Sequence, residues 1–350
     1  MLYDAMMSGL LSVYDYLSLH VLTCLVPAFF IAGAIAVFIS KQSVIKYFSS
    51  KTKKIVSYGI ASVSGTVLAV CSCTILPLFA GIYKRGAGIG PATTFLYSGP
   101  AINILAIIYT AQILGFDLGA ARAFMAIIMS ILIGLIMAFL FKGPDINNKT
   151  TTQFEINEER SRPQWVVLLF FVFLVLILIV GTTKLSLAIR VSTIVLLLLG
   201  VIVLLKYHFT GDEVRDWGNE TWDLTKKIFP VLIIGTFAVG VIAYYLPPET
   251  FRVFIGGNSL LSCFTASIIG ALFYMPTLLE VPIIGTTLGY STGVMGGGPA
   301  LSLLLSGPSV SLPSMLVLQR IMGTTRTAVY ILLVVLFSTI AGFAYGNLVG

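Results

Sequence analysis

Few side chains in this 350-residue chain can do chemistry, because 57% of its residues are apolar and only 10% are charged. Cys71-Ser72-Cys73-Thr74 sets two thiols and two hydroxyls in consecutive positions, upstream of Pro77 and Asn103. In a helix a Cys-x-Cys pair points its thiols about 200° apart, whereas in an unwound stretch both can face one soft ligand. Isolated cysteines are commonly small buried hydrophobes, so it is the interleaved Ser and Thr beside a Pro that suggest a binding role. Zinc would need further ligands, and the two histidines, His20 and His208, are remote in sequence.

Glu280 is the second candidate. It is the one carboxylate inside an apolar run, flanked by Pro276-Thr277 and Pro282, and acids placed in hydrocarbon are costly enough to be functional hypotheses. It could load and release a proton as a coupling residue; the plainer alternative is an acid that pairs with an Arg or caps a half-helix. The third group is a pair of matched tripeptides, Ser98-Gly99-Pro100 and Ser306-Gly307-Pro308. In each, Gly permits a turn, Pro suits the first position of a new half-helix, and the Ser hydroxyl can cap freed amides. Helix breaks are therefore expected at Pro77, Pro100, Pro276, Pro282 and Pro308. The candidate substrate-binding set is Cys71, Ser72, Cys73, Thr74, Ser98, Gly99, Asn103, Thr277, Ser306 and Gly307. No phosphate-binding loop, Ser-His-Asp set or His-Glu-x-x-His motif occurs, which leaves enzymatic catalysis, ATP hydrolysis and a cofactor without support.

These residues must be positioned by membrane helices. A mean hydropathy of +1.00 and apolar runs of about 20 residues from end to end describe a polytopic all-α membrane protein, since such runs do not alternate as barrel strands do. Ten apolar stretches fall into groups of four, two and four, separated by polar stretches at 143–164 and 208–227 that read as solvated loop or interfacial helix. The domain plan is an N-terminal repeat over 1–142, a central linker with a helix pair and polar loop over 143–227, and a C-terminal repeat over 228–350. The net charge of +7 is carried by residues between the apolar runs, where it sets topology and implies no nucleic-acid partner. No Lys or Arg precedes Lys41, so the first helix is expected to be retained.

The outer groups repeat each other. Gly90, Pro91, Ala92, Leu96, Ser98, Gly99 and Pro100 recur at one offset of 208 as Gly298, Pro299, Ala300, Leu304, Ser306, Gly307 and Pro308. Upstream the offset is 205, pairing Gly65 with Gly270, Pro77 with Pro282 and Ile75 with Glu280. Ten full crossings would make the copies parallel and divide Lys and Arg almost evenly between the two sides. Eight crossings plus two re-entrant segments, at 55–83 and 259–288, leave only Arg122, Lys184, Arg190 and Arg252 outside. The positive-inside rule favours the second plan, in which the copies are inverted. Paired breaks at matching positions mark substrate sites in such transporters.

Cys71-Ser72-Cys73, Pro77, the Lys84-Arg85-Gly86 turn and Pro100-Ala101-Ile102-Asn103 resemble the hallmark of the YraQ or organoarsenical efflux permease family. The resemblance covers about 17–141 and 228–348. It implies secondary transport across the inner membrane, with the Cys pair as a soft-ligand site for trivalent methylated or aromatic arsenicals. Two departures stand out: Ile104 follows Asn103 where the family often has Pro, and the second copy has Pro276-Thr277 and Glu280 instead of another Cys pair. A trithiolate arsenic site would require Cys71 and Cys73 with Cys24 or Cys263. The expectation is an exporter of a small thiophilic or neutral solute, working by alternating access with the lipid bilayer as its surroundings. A uniporter or channel for a small anion or sulfur compound, and a membrane thiol oxidoreductase using Cys71 and Cys73, are the alternatives.

Overall fold

The computed structural model describes residues 2–17, 25–38, 54–68, 72–84, 86–141, 164–182, 186–245, 254–273 and 277–349. Cys24, Cys71 and Pro276 lie outside them, as do the side chains of Ser72, Cys73 and Thr277. Among the described residues the fold is entirely helical, as the apolar runs require. The helices of the first half are α1 (Leu2–Tyr16), α2 (Val26–Phe38), α3 (Lys54–Leu68), α4 (Ser72–Lys84), α5 (Ile89–Ala101), α6 (Ile104–Ile113) and α7 (Phe116–Leu140). The central pair is α8 (Gln164–Thr182) and α9 (Leu187–His208). The remainder are α10 (Gly211–Tyr245), α11 (Leu260–Leu272), α12 (Thr277–Pro282) followed by a π-turn (Ile283–Thr287), α13 (Gly297–Ser306), α14 (Leu312–Met322) and α15 (Thr324–Val349).

Among the described residues three helices are long and apolar enough to cross a membrane: α7, α9 from Ala188, and α15. α5 and α6 together are long enough as well, but they bend by 43° at their junction. α7 and α15 both start just after a glycine in the left-handed region, Gly115 at φ 111° and Gly323 at φ 86°, where a side chain would be strained. These glycines are 208 residues apart. α7 and α15 pack against each other in opposite directions, since Arg326 in the first turn of α15 lies 5.7 Å over the ring of Phe141, just past the last turn of α7.

Of the two readings of the polar stretch at 208–227, loop or helix, the helix holds from Gly211 on, where the stretch forms the front of the 35-residue α10. Thr210 and Glu213 form the reciprocal cap that starts it: the Thr210 amide donates to Glu213 Oε2 at 2.8 Å, and the Glu213 amide faces Thr210 Oγ1 at 3.4 Å. Trp217 turns inward from this segment, donates from Nε1 to the Phe30 carbonyl at 2.9 Å, and packs among Phe30, Phe38 and Phe170. Trp222 stays outside under Lys226.

Prolines break the helices less uniformly than their spacing predicts. Pro77 and Pro100 lie within α4 and α5, and Ser98-Gly99-Pro100 is helical throughout. The first interruption comes instead at Ile102-Asn103, where the Ile102 amide closes back on the Ser98 carbonyl at 2.9 Å. A proline removes its own donor and disturbs the turn before it, yet the chain can remain helical for a residue or two beyond. In the second half the break stands where expected: α13 stops at Ser306, Gly307-Pro308-Ser309 turn, and α14 restarts behind a Ser311/Ser314 capping box. Pro282 ends α12, and the π-turn follows it.

Candidate functional site

The helices bearing the two Ser-Gly-Pro segments meet at the middle of the bundle. Tyr97, next to Ser98, donates its hydroxyl to the Leu305 carbonyl, next to Ser306, at 3.3 Å, and lies 3.5 Å from Met129 Sδ near the midpoint of α7. Tyr97 and Leu305 are 208 residues apart. Ser98 Oγ donates across to the Ala61 carbonyl of α3 at 3.1 Å, whereas Ser306 Oγ reaches only the Leu303 carbonyl of its own helix, at 3.4 Å. Ser98, Gly99, Pro100, Ser306, Gly307 and Pro308 are all buried, as are Thr74, Pro77 and Asn103.

Close packing places these segments. A Cβ built on Gly134 of α7 would stand 2.0 Å from Thr94 Oγ1 and 2.7 Å from the Gly90 carbonyl of α5. A Cβ on Gly342 of α15 would meet Ser302 Oγ at 1.9 Å and the Gly298 carbonyl of α13 at 2.4 Å. Each participant in the second set lies 208 positions after its counterpart in the first. Tyr58 of α3 fills the space beside Gly90, and Cys263 of α11, 205 positions on, fills it beside Gly298. Small residues of this kind let membrane helices approach closely. Cys263 thus lies two turns and more before Ser306 along α13, in a packing position.

Glu280 is fully buried, and so is Arg122. They are the two buried charged residues among those described, with Arg122 Nη2 3.6 Å from Glu280 Oε2. Arg122 lies on α7, so it does not belong with the loop charges that set topology. Its Nη1 donates to Thr110 Oγ1 of α6 at 2.9 Å, and Thr110 in turn donates to the Ala106 carbonyl. The Glu280 carboxylate rests against Gly307, where a Cβ would stand 2.6 Å from Oε1. Ser306 Oγ sits where a Cβ on Gly270 would fall, 2.3 Å away. The structure therefore gathers Glu280, Ser306 and Gly307 with Arg122 and Thr110, two residues that the motifs did not single out. Arg122 carried a signal of its own, being a cation several residues inside the run 118–141, aligned at the 208 offset with the apolar-flanked Tyr330.

Away from the site, Lys84 of α4 pairs with Glu220 of α10, and Arg326 of α15 donates to Tyr83 of α4. No group of three or more His, Cys, Asp or Glu that could hold a metal occurs among the described residues.

A helical bundle with apolar spans, packed through glycines and enclosing an ion pair, is an integral membrane protein. The family model described as predicted permease, ArsP_1, matches residues 6–347, and the chain belongs to that family. It is 45% identical over 347 residues to UPF0718 protein MJ0584 of Methanocaldococcus jannaschii, covering 96% of this chain and 94% of that protein. It is 23% identical over 252 residues to UPF0718 protein YraQ of Escherichia coli, covering 72% of this chain and 56% of that one. No solved structure matches it significantly. Family and fold together place the chain among membrane transporters.

Proposed function

We propose that the protein is a secondary transporter of the inner membrane that exports a small solute by alternating access between two inverted repeats, residues 1–142 and 228–350, joined by the central helix pair. One observation carries this reading: Tyr97 and Leu305, which stand at matching positions of the two copies, touch beside the midpoint of α7, while α7 and α15, the matching helices, run antiparallel. A two-fold axis in the membrane plane has this signature, because positions on the axis meet their own copies. The solute site is the seam around Ser98, Gly99, Asn103, Ser306 and Gly307. Cys71 and Cys73 supply soft ligands, and Glu280 carries the coupling proton. Trivalent organoarsenicals are the first substrates to test.

Purified protein in liposomes should accumulate a trivalent phenylarsenical above the level of protein-free vesicles. Replacing both Cys71 and Cys73 with Ser should abolish that flux while leaving thermal unfolding unchanged. Flux unaltered by the double substitution removes the thiols from the site. Glu280→Gln should keep substrate binding and lose the response to an imposed pH gradient; a response equal to that of the parent protein ends the coupling role.

A further inference from the structure

Arg122 and Glu280 face each other without hydrogen-bonding. At 3.6 Å their approach exceeds that of a charge-assisted hydrogen bond, and Arg122 Nε, Arg122 Nη2 and both Glu280 oxygens lack a hydrogen-bond partner among the described residues although fully buried. A buried ion pair held only for structure needs good geometry and satisfied neighbours to offset its desolvation, and this pair has neither. The unpartnered atoms are specific. Nε and Nη2 form one edge of the guanidinium, the edge that grips two oxygens of a planar oxyanion through parallel N–H···O bonds. Glu280 approaches one corner of that edge, at Nη2, and Nε is left without a hydrogen bond. Thr110 holds the opposite corner, Nη1, which fixes the plane of the guanidinium.

We propose that Arg122 is a binding site for a small oxyanion, with Glu280 as its built-in competitor. In the empty protein the two charges cancel. An anion docking on Nε and Nη2 would by itself leave one net negative charge in the core. A proton taken up by Glu280 from the side on which the anion enters restores neutrality: one anion and one proton enter, and no bond other than the new carboxyl O–H is made. The protonated carboxyl then has a hydrogen to donate to the anion. The neighbouring helices supply no other buried charge to take this part: α6, α11 and α13 carry none, Asp117 of α7 is exposed and Arg326 of α15 is only part-buried, and the remaining titratable groups facing the pair are the hydroxyls of Tyr97 on α5 and, beside it, Tyr330 on α15. Gly307 is the reason the carboxylate can lie so close to the break in the second half, so the anion reports directly on the segment that must move.

This inference rests on the transporter reading only for the use made of the site. Binding is measured in detergent, so its failure and a failure of arsenical flux are separate results. The full-length protein is titrated with sodium formate and sodium nitrite, against sodium chloride at equal ionic strength, following thermal unfolding at pH 10, 9, 8, 7 and 6. Formate and nitrite should stabilise more than chloride, with an apparent affinity that rises on the order of tenfold per unit fall in pH while Glu280 is ionised in the empty protein, since one proton is taken up per anion. Glu280→Gln should bind these anions at pH 8 as well as at pH 6. Arg122→Gln combined with Glu280→Gln should unfold normally without anion and show no anion response. An equal response to chloride, no response at pH 6, or a pH slope that survives Glu280→Gln overturns the proposal. If the single variant does not fold, the slope in the unsubstituted protein decides.

Discussion

The packing around Gly134 and the packing around Gly342 are nearly interchangeable, with a hydroxyl and a glycine carbonyl in the same places against the same bare backbone. The charges are not. Arg122 belongs to the first half, where the second has Tyr330, and Glu280 belongs to the second, where the first has Ile75. Helix approach is governed by backbone and volume and tolerates little change, so both halves retain it. A buried charge requires only one counter-charge within reach, and the two members can stand on opposite halves. Neither half is then electrically complete alone, and any motion of one against the other works on the pair.

Exchanging charges between the halves should have the largest effect. Arg122→Tyr leaves Glu280 without its cation and should cost about 3–5 kcal/mol in thermal unfolding, as should Glu280→Ile for the converse reason. The double variant, neutral in both halves, should recover most of that loss; if the losses add instead, the pair is not what couples the halves. Next come the glycines. Gly134→Ala and Gly342→Ala should each destabilise by about 1–3 kcal/mol through overpacking, with similar losses, and trimming Thr94 or Ser302 to Ala should recover part of the loss in its own half only, since the contact with the Gly90 or Gly298 carbonyl remains. Unequal losses would break the correspondence of the two packings. Smaller again is the contrast of the serines. Ser98→Ala removes a bond to another helix and should cost about 1 kcal/mol, whereas Ser306→Ala, which loses only a long bond within its own turn, should cost less. Tyr97→Phe should have the least effect on stability, about 0.6 kcal/mol for one interhelical hydrogen bond, and its measurable consequence is on flux.

The helices of the bundle could be read from apolar run length; the offset of 208 was visible in seven identities between Gly90 and Pro100, whereas the pairs Thr94 and Ser302, Gly134 and Gly342, and Gly115 and Gly323 stand at the same offset but were not singled out, since a lone glycine or hydroxyl in an apolar run carries no motif. Glu280 was visible because a carboxylate in an apolar run has no ordinary explanation. Arg122 was hidden because an Arg near the end of such a run also fits a topology rule, and composition alone cannot tell a cation that stays at the interface from one that turns inward. The helical break after Pro100 fell late because a proline specifies which hydrogen bond is lost and leaves open where the chain departs from the helix. The helix at 211–227 was obscured by its charges, although Thr210 and Glu213 at capping-box spacing announce it.

The aromatic nest around Trp217 has a practical consequence for spectroscopy. The chain has three tryptophans, of which Trp165 and Trp222 are more than half exposed while Trp217 is 8% exposed. Aqueous or lipid-borne quenchers should extinguish the first two and spare the third, leaving an emission that comes from the contact between α2 and the front of α10. Because its indole N–H is tied to the Phe30 carbonyl, any rocking of α10 against α2 stretches that bond and changes the polarity around the ring, so the colour of the residual fluorescence records the motion without a label.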